Sequence, residues 1–185
     1  MKYTLKMLIE QYNSQSERQK IKYLFFWGST VYDNITKTCL SQWYPSEFEV
    51  EGIKYYNMEQ YMMAEKALLF NDSIIRKQIL NSREPKQIKA LGRKVKNFDE
   101  KVWDDHKCRI IYDGNCAKFS QNQDLKKYLL STQSKILVEA SPYDKIWGIG
   151  LKQGDIGVEN PSNWRGQNLL GFTLMEVRDF LKNKK

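Results

Sequence analysis

The chain has 185 residues, of which 41% are hydrophobic and 28% are charged, proportions that are ordinary for a globular domain and exclude wholesale disorder. The net charge of +8 favours nucleic acid or phosphorylated ligands as partners. Apolar runs fall short of the ~18 residues that span a bilayer, and the three cysteines form neither a CxxC pair nor a secreted disulfide framework. We therefore expect a reduced, cytoplasmic protein with no signal peptide and no membrane partner.

The first part of the chain predicts helices and short strands in turn. Apolar residues at helical spacing predict an amphipathic helix within residues 1–20, and the aromatic run Tyr23–Trp27 predicts a buried strand. Residues 48–56 have the alternation and the Glu-Gly turn of a hairpin. Asn57 is an expected N-cap for the strong helix that follows over residues 58–70, and the glutamine three residues later resembles a capping box.

The second part predicts more helices and one further buried strand, over residues 136–140. A helix that begins near Asp99 is expected to break at Gly114-Asn115, because these residue types are common at helix ends. Residues 152–167 predict a loop rich in glycine and asparagine. The remaining helices are predicted over residues 74–80, 85–92, 125–130 and 169–181.

A single histidine, His106, limits the chemistry that the chain can perform. A Ser-His-Asp triad would have to be built around it, and a pair of histidines acting as acid and base is excluded. His106, Cys108 and Cys116 lie close in sequence but lack a fourth zinc ligand, and the sequence has no phosphate-binding glycine motif. We therefore expect no metal and no cofactor, and chemistry that depends on carboxylates, lysine and aromatic rings.

The predicted helix over residues 58–70 carries a first candidate pair. Glu59 and Lys66 are seven residues apart, so they fall within about 20° of each other around the helix axis. Glu59 also lies in the first turn, where the helix dipole favours a carboxylate. Such a pair in a pocket would position water and a phosphate or sugar hydroxyl. The same spacing also fits a weak charge pair on a solvated helix face.

A second candidate site lies in residues 139–150, where Glu139 and Asp144 flank a Ser-Pro turn and Trp147 adjoins Gly148. Proline and glycine allow a sharply turning backbone that a ligand approaches closely. A carboxylate beside an aromatic wall is typical of sites that recognise or hydrolyse a glycoside. A tight turn with a core tryptophan fits the segment equally well.

Five tryptophans are many for this length, and four of them adjoin a glycine, a charged residue or a turn. Such positions suit the walls of a pocket, although most large aromatic residues pack in the core. Trp27 precedes Gly28, and Trp43 follows Ser41 and Gln42, so these two segments are a third candidate constellation.

Eight blocks between about residue 24 and residue 181 resemble the NADAR family, also called YbiA-like. In chain order they are Phe26-Trp27-Gly28, Leu40–Tyr44, Glu59–Ala67, Leu91-Gly92-Arg93, Ala117-Lys118-Phe119, Leu137–Pro142, Asp144 with Ile146-Trp147-Gly148, and Asn168–Gly171. The resemblance implies a single compact YbiA-like domain over residues 23–185, mainly α-helical α+β with a few short strands. Residues 1–22 then form a helical extension.

The resemblance also implies N-glycosidase activity on ribosyl compounds. The Ser-Gln-Trp-Tyr and Met-Met-Ala sequences resemble the longer form of the family, which includes hydrolases that remove ADP-ribose from ADP-ribosylated guanine in nucleic acid. That reaction is the function we expect. Other substrates left open are ribosylamino-pyrimidine phosphates of riboflavin synthesis. A non-catalytic ADP-ribose-binding module and a toxin-neutralising partner that acts by protein contact remain alternatives.

The resemblance also implies which residues form the active site. Glu59, Trp103, Asp144 and Trp147 stand where YbiA-like proteins need them for activity, and Lys66 matches the family's helix lysine. We predict Glu59, Asp144 and Lys66 as catalytic residues, for a substrate that carries an ADP-ribosyl or ribosyl-phosphate group, with nucleic acid bearing ADP-ribose as a candidate partner. The predicted substrate-binding residues are Trp27, Gly28, Ser41, Gln42, Trp43, Trp103, Lys118, Glu139, Trp147, Gly148 and Asn168.

Overall fold

Eight α-helices and four short β-strands form residues 1–184, the part of the chain that the computed structural model describes. The helices are α1 (Leu5–Asn13), α2 (Gln15–Arg18), α3 (Met58–Leu69), α4 (Ser73–Leu80), α5 (Pro85–Gly92), α6 (Glu100–Gln121), α7 (Gln123–Ser131) and α8 (Leu169–Asn183). The strands are β1 (Tyr23–Phe26), β2 (Phe48–Val50), β3 (Ile53–Tyr55) and β4 (Ile136–Glu139). Single 3₁₀ turns occupy Lys37–Leu40 and Pro161–Asn163. The prediction of a mainly helical α+β domain is confirmed.

The four strands form two separate two-stranded sheets. Strands β1 and β4 pair in parallel, with Phe26 opposite Glu139 at their carboxyl ends. Strands β2 and β3 form the predicted antiparallel hairpin, and its turn residues Glu51 and Gly52 both have positive φ angles, of 50° and 76°. Two successive positive φ angles are those of a type I′ turn, which matches the twist of the strands that it joins.

Helix α3 lies at the centre of the fold and packs against α4, α5 and α6. Its buried face includes Met58 and Ala64, and it also buries the polar Glu59 and Gln60. Helix α8 packs on β4 and α6, and α1 adds the buried Leu8 to the core. Within residues 1–184, no helix is both long enough and apolar enough to cross a bilayer.

The start of α3 is fixed by a variant of the predicted capping box. The Asn57 side chain accepts a hydrogen bond of 2.9 Å from the Gln60 backbone, as expected for an N-cap. The Gln60 side chain does not return to Asn57 but accepts from the Tyr56 backbone N–H at 2.8 Å. Its amide also donates to carbonyls at the end of α4, including that of Ser82 at 2.7 Å. Gln60 therefore joins two helices as well as capping one.

The predicted break at Gly114-Asn115 is wrong, because α6 continues without interruption to Gln121. Gly114 lies where the helix crosses α3, and a Cβ there would overlap the ring of Tyr61. The buried Asn115 donates its side-chain amide to the Ile111 carbonyl at 2.9 Å, within its own helix. Close helix packing, and not a turn, explains these two residue types.

Gly114→Ala is expected to destabilise the protein by about 1–3 kcal/mol, because the added methyl group overpacks the contact between α3 and α6. Helix propensity alone would stabilise the variant by about 1 kcal/mol, so the sign of the change tests the packing argument. Urea unfolding gives the free energy. Gly154→Ala is the control, since no atom of residues 1–184 lies within 4 Å of its Cβ position and its cost should be below about 0.5 kcal/mol. A stabilised Gly114 variant would contradict the packing.

Candidate active site

A cavity of about 730 Å³ opens at the carboxyl ends of the parallel strands β1 and β4. Its size is typical of small-molecule sites, and the carboxyl end of parallel strands is a common location for ligands. Helix α3 brings its first turn to the cavity, and α5 contributes Lys89. The lining residues are Trp27, Gly28, Ser29, Ser41, Gln42, Trp43, Glu59, Met62, Met63, Lys89, Glu139, Ser141, Tyr143, Asp144, Lys145, Ile146 and Trp147.

Glu59 is the most deeply buried carboxylate of the cavity, with 3% of its surface exposed. Its backbone N–H donates to the Gln42 carbonyl at 3.0 Å, which fixes the start of α3 against the segment before β2. The Trp43 indole N–H donates to Glu59 Oε2 at 3.1 Å. The other carboxylate oxygen of Glu59, Oε1, is inaccessible to solvent and has no hydrogen-bond partner within residues 1–184. An unpaired buried oxygen is costly, so it indicates a place for a donor from a ligand or water.

The pKa of the Glu59 carboxyl is raised to about 7, chiefly by burial and also by repulsion from the nearby Asp144 carboxylate. Three groups act in the opposite direction. The Lys89 ammonium, the hydrogen bond from Trp43 and the Arg93 guanidinium all favour the ionised form. Glu59 is therefore held near the point at which it exchanges a proton at neutral pH.

Glu139 occupies the last position of β4 and lines the same cavity as Glu59. The fully buried Asn168 fixes this strand end, since its side chain accepts from the Glu139 backbone N–H at 3.0 Å and donates to the Leu137 carbonyl at 2.9 Å. The residue keeps some exposed surface, but its Oε2 is inaccessible and unpaired within residues 1–184.

Within residues 1–184, no basic side chain forms an ion pair with the Glu139 carboxyl. The pKa of Glu139 is raised to about 8, chiefly by burial and also by repulsion from Asp144 and Glu59, while Lys89 acts in the opposite direction. Two buried carboxyl groups that repel each other do not both ionise readily. Of the two, Glu139 therefore keeps its proton to the higher pH.

Asp144 is partly exposed and shapes the loop that carries it. Its Oδ1 accepts hydrogen bonds from the Ile146 and Trp147 backbone N–H groups, at 2.9 and 2.8 Å. Gly148 does not line the cavity, but a Cβ there would lie 2.8 Å from the Glu139 carbonyl oxygen. A glycine is therefore needed for the loop to pass this close to the end of β4.

Aromatic rings form the walls and the mouth of the cavity. Trp147 is 8% exposed and belongs to the inner wall, whereas Trp27 and Tyr143 are 50% and 85% exposed and stand at the mouth. The rings of Trp27 and Tyr143 lie 6.2 Å apart with an angle of 52° between them. Such exposed rings offer flat surfaces on which a base can stack.

Lys66 and Trp103, which the sequence predicted at the site, lie outside this cavity. The Lys66 ammonium donates to the Gly92 carbonyl at 3.0 Å and lies 4.1 Å from the centre of the Phe98 ring. Trp103 borders the same ammonium, at 5.8 Å. Lys66 is two turns along α3 from Glu59, about 10 Å, so an equal angle around the axis does not bring both to one cavity. Its contacts instead join α3 to the end of α5.

Lys118 and Asn168, both predicted to bind substrate, lie behind the cavity wall. Lys118 is fully buried, and its ammonium donates to the Cys39 and Ser41 carbonyls at 2.7 and 3.1 Å. Burial lowers its pKa to about 8. These bonds hold the segment that delivers Gln42 and Trp43, so Lys118 positions residues of the wall, as Asn168 positions Glu139.

The fifth tryptophan and the single histidine of the chain do not line the cavity. Trp164 is buried and donates its indole N–H to the Val158 carbonyl at 2.7 Å, which is a packing role. His106 is exposed on α6, with Nδ1 2.8 Å from the Val102 carbonyl oxygen. Within residues 1–184, no three histidine, cysteine or acidic side chains are grouped in a way that would hold a metal ion.

Sequence reasoning missed several lining residues, of which Lys89 and Tyr143 matter most. Tyr143 lies between two recognised motif residues, Pro142 and Asp144, so its position at the site could have been found. Lys89 carries no such signal. Only the packing of α5 against α3 places its ammonium near Glu59.

A small helical domain with three carboxyl groups in an aromatic-walled cavity has the features of a glycoside-cleaving enzyme. The chain matches the NADAR domain over residues 25–182, and it belongs to the NADAR family. It is 48% identical over 164 residues to N-glycosidase R617 of Acanthamoeba polyphaga mimivirus, a match that covers 85% of this chain and 95% of that protein.

Two further similarities extend the comparison. The NMR structure of the E. coli protein YbiA superposes with a TM-score of 0.70 and 26% identity, over 88% of this chain and 86% of that one. A shorter match, 36% identical over 105 residues, is to the riboflavin biosynthesis protein PYRR of Arabidopsis thaliana. It covers 55% of this chain and 16% of that protein.

Proposed function

We propose that this NADAR protein is an N-glycosidase that hydrolyses the bond between ribose C1′ and the nitrogen of a nucleobase-like group. The observation that carries the proposal is that Glu59, Glu139 and Asp144 line one aromatic-walled cavity. The similarity to a relative named N-glycosidase supports this activity. In the reaction the C1′–N bond breaks. The hydroxyl group of a water molecule is added to C1′, and the departing nitrogen gains a proton, so that one water molecule is consumed overall.

Glu59 is assigned as the base that activates water. Trp43 and Lys89 favour its ionised form, and its side chain lines the cavity in which water and substrate would bind. Asp144 adds a second negative charge to the same cavity. Positive charge develops on the ribose in the oxocarbenium-like transition state, and carboxylates around the ring stabilise it.

Glu139 is assigned as the acid that protonates the departing base. It lacks the indole donor that Glu59 has, and two neighbouring carboxylates oppose its ionisation. A protonated carboxyl that lines the cavity can donate its proton to the departing nitrogen of a bound substrate. Neighbouring acids whose environments separate their protonation states commonly divide the acid and base roles.

The substrate we propose is ADP-ribosylated guanine in nucleic acid. The cavity offers the Lys89 ammonium for phosphate charge and the Trp147 ring for stacking. Exposed aromatic residues form its mouth. A nucleotide could enter there while the rest of the polymer stays outside the cavity. The overall charge of +8 suits such a polyanion. A ribosylamino-pyrimidine phosphate is the second candidate, favoured by the similarity to PYRR.

The test supplies the purified protein with each substrate in H₂¹⁸O and follows the products by mass spectrometry. We expect free ADP-ribose that carries ¹⁸O at C1′ and an oligonucleotide with unmodified guanine. Release from the pyrimidine compound alone would assign the second substrate. Calorimetric binding of ADP-ribose without release from either compound would identify a non-catalytic binding module and refute the proposed activity.

A further inference from the structure

A basic stripe leads out of the cavity along α5. It consists of Arg83, Lys86, Lys89 and Arg93, defined by spacings of three and four residues. Lys86 and Lys89 lie three residues apart on α5 and are neighbours on its surface, whereas Arg83 precedes the helix and Arg93 follows it as the C-cap. Lys89 lines the cavity, so the stripe begins at the site and continues on the surface to either side of it.

The basic stripe lies in a segment, residues 83–96, that carries most of the excess positive charge of the chain. Residues 83–96 contain six basic residues and one acid, Glu84, a net charge of +5 within a chain whose total is +8. Arg83, Lys86 and Arg93 are exposed. Within residues 1–184, none of the four stripe residues forms an ion pair with a carboxylate. Their charges are therefore available to a partner in solution.

Aromatic rings accompany the stripe. The Arg83 guanidinium lies 4.1 Å from the centre of the Tyr56 ring and donates to the tyrosine hydroxyl at 2.7 Å. The Lys89 ammonium lies 5.9 Å from the Trp43 ring. The exposed pair Trp27 and Tyr143 stands at the mouth of the cavity. Cations that follow a phosphate backbone, combined with rings on which bases stack, are the two elements of single-strand binding.

We propose that the basic stripe, together with the aromatic pair Trp27 and Tyr143, binds a single-stranded nucleic acid and directs one of its bases into the cavity. The exposed rings favour single strands over duplexes, because bases in a duplex are already stacked on each other. The inference rests on the proposed function only in naming the polymer as the carrier of the substrate. The binding itself needs no turnover.

The experiment measures fluorescence anisotropy of a labelled, unmodified oligonucleotide of about 12 nucleotides, as a single strand and as a duplex, over a range of salt concentrations. The variant carries Arg83→Gln, Lys86→Gln and Arg93→Gln. Its control carries Lys6→Gln, Lys135→Gln and Lys182→Gln, exposed lysines outside the cavity lining with the same change in charge.

The stripe variant should bind the single strand at least about tenfold more weakly at 0.1 M salt, and the slope of log K against log salt should fall by about 2, since each lost phosphate contact removes about 0.7. The control should change affinity by less than about twofold. Tyr143→Ala should weaken binding about tenfold without changing the salt slope, because it removes stacking alone.

Several outcomes would overturn the inference. They are the absence of binding at low salt, equal losses in the stripe variant and its control, equal affinity for the duplex, and equal affinity for a polyglutamate peptide. Glu59→Gln separates the two proposals. It should bind the unmodified strand at least as tightly as the natural protein, so a failure of catalysis leaves the binding result intact.

Discussion

Glu59→Gln should lower the rate of N-glycoside cleavage by about 10²–10⁴-fold, the contribution typical of general acid–base groups. The amide cannot take a proton from water, yet it keeps the size of the side chain and an oxygen that accepts from the Trp43 indole. Single-turnover measurements with saturating protein isolate the chemical step from binding. The midpoint of thermal unfolding, measured alongside, establishes that the fold is retained.

The matched control is Glu65→Gln, the same chemical change six residues further along α3. Glu65 faces away from the cavity, where it accepts from the Tyr55 hydroxyl and pairs with Arg76. Its replacement should leave the single-turnover rate within about twofold of the natural protein, since it touches no reacting atom. An unchanged rate in the Glu59 variant would remove that residue from the proposed mechanism.

Asp144 is tested by two substitutions, because its carboxylate has two roles. Asp144→Asn keeps an oxygen for the Ile146 and Trp147 N–H groups but removes the charge, whereas Asp144→Ala removes both. Each should lose most of the turnover. The alanine variant alone should also lose stability, because two backbone donors lose their acceptor. Full activity in the asparagine variant would contradict a role for its charge.

Glu139→Gln is expected to lower turnover by about 10²-fold or more and to remove the loss of activity at high pH. In the natural protein, the rate should rise as Glu59 ionises near its pKa of about 7 and fall as Glu139 loses its proton near its pKa of about 8. The two groups are coupled, so a narrow bell-shaped profile belongs to the pair. A falling limb that survives in the Glu139 variant would reject this residue as the acid.

Glu139→Gln should lower turnover but raise the stability of the fold at high pH. The folded-state pKa of Glu139 is raised above its ordinary value of 4.5 to about 8, so the favourable contribution of this carboxyl to stability is complete below pH 4.5 and is lost as pH rises through 8. Glutamine has no charge to bury. The variant should therefore be more stable than the natural protein at pH 9, by about 1–2 kcal/mol after allowance for its partial exposure, and similar to it at pH 4. Thermal unfolding at the two pH values measures this difference.

Most helices could be predicted from the sequence because their signals are local. The Asn57 cap and the Pro85 start depend on neighbouring residues only, and both helices begin where predicted. The false break at Gly114 shows the limit of such signals. A glycine required by a helix crossing has the same sequence signature as one required by a turn, and only the position of Tyr61 distinguishes them.

The residues of the candidate site were also predictable only in part. Glu59, Asp144 and Trp147 were predicted and do line one cavity, as residues from distant segments. The sequence does not show which lysines line the cavity and which donate to backbone carbonyls. It therefore could not distinguish Lys89, which lines the cavity, from Lys66 and Lys118, which do not. In the structure Lys118 donates to carbonyls behind the wall.

The pairing of β1 with β4 joins residues that are more than a hundred positions apart, and Asn168 completes the end of β4. During synthesis the amino-terminal partner strand must therefore wait for most of the chain to leave the ribosome. A nascent chain that stops short of Asn168 lacks the side chain that anchors the end of β4 at Glu139. The cluster of carboxyl groups in the cavity is therefore expected to be completed only after residue 168 has left the ribosome.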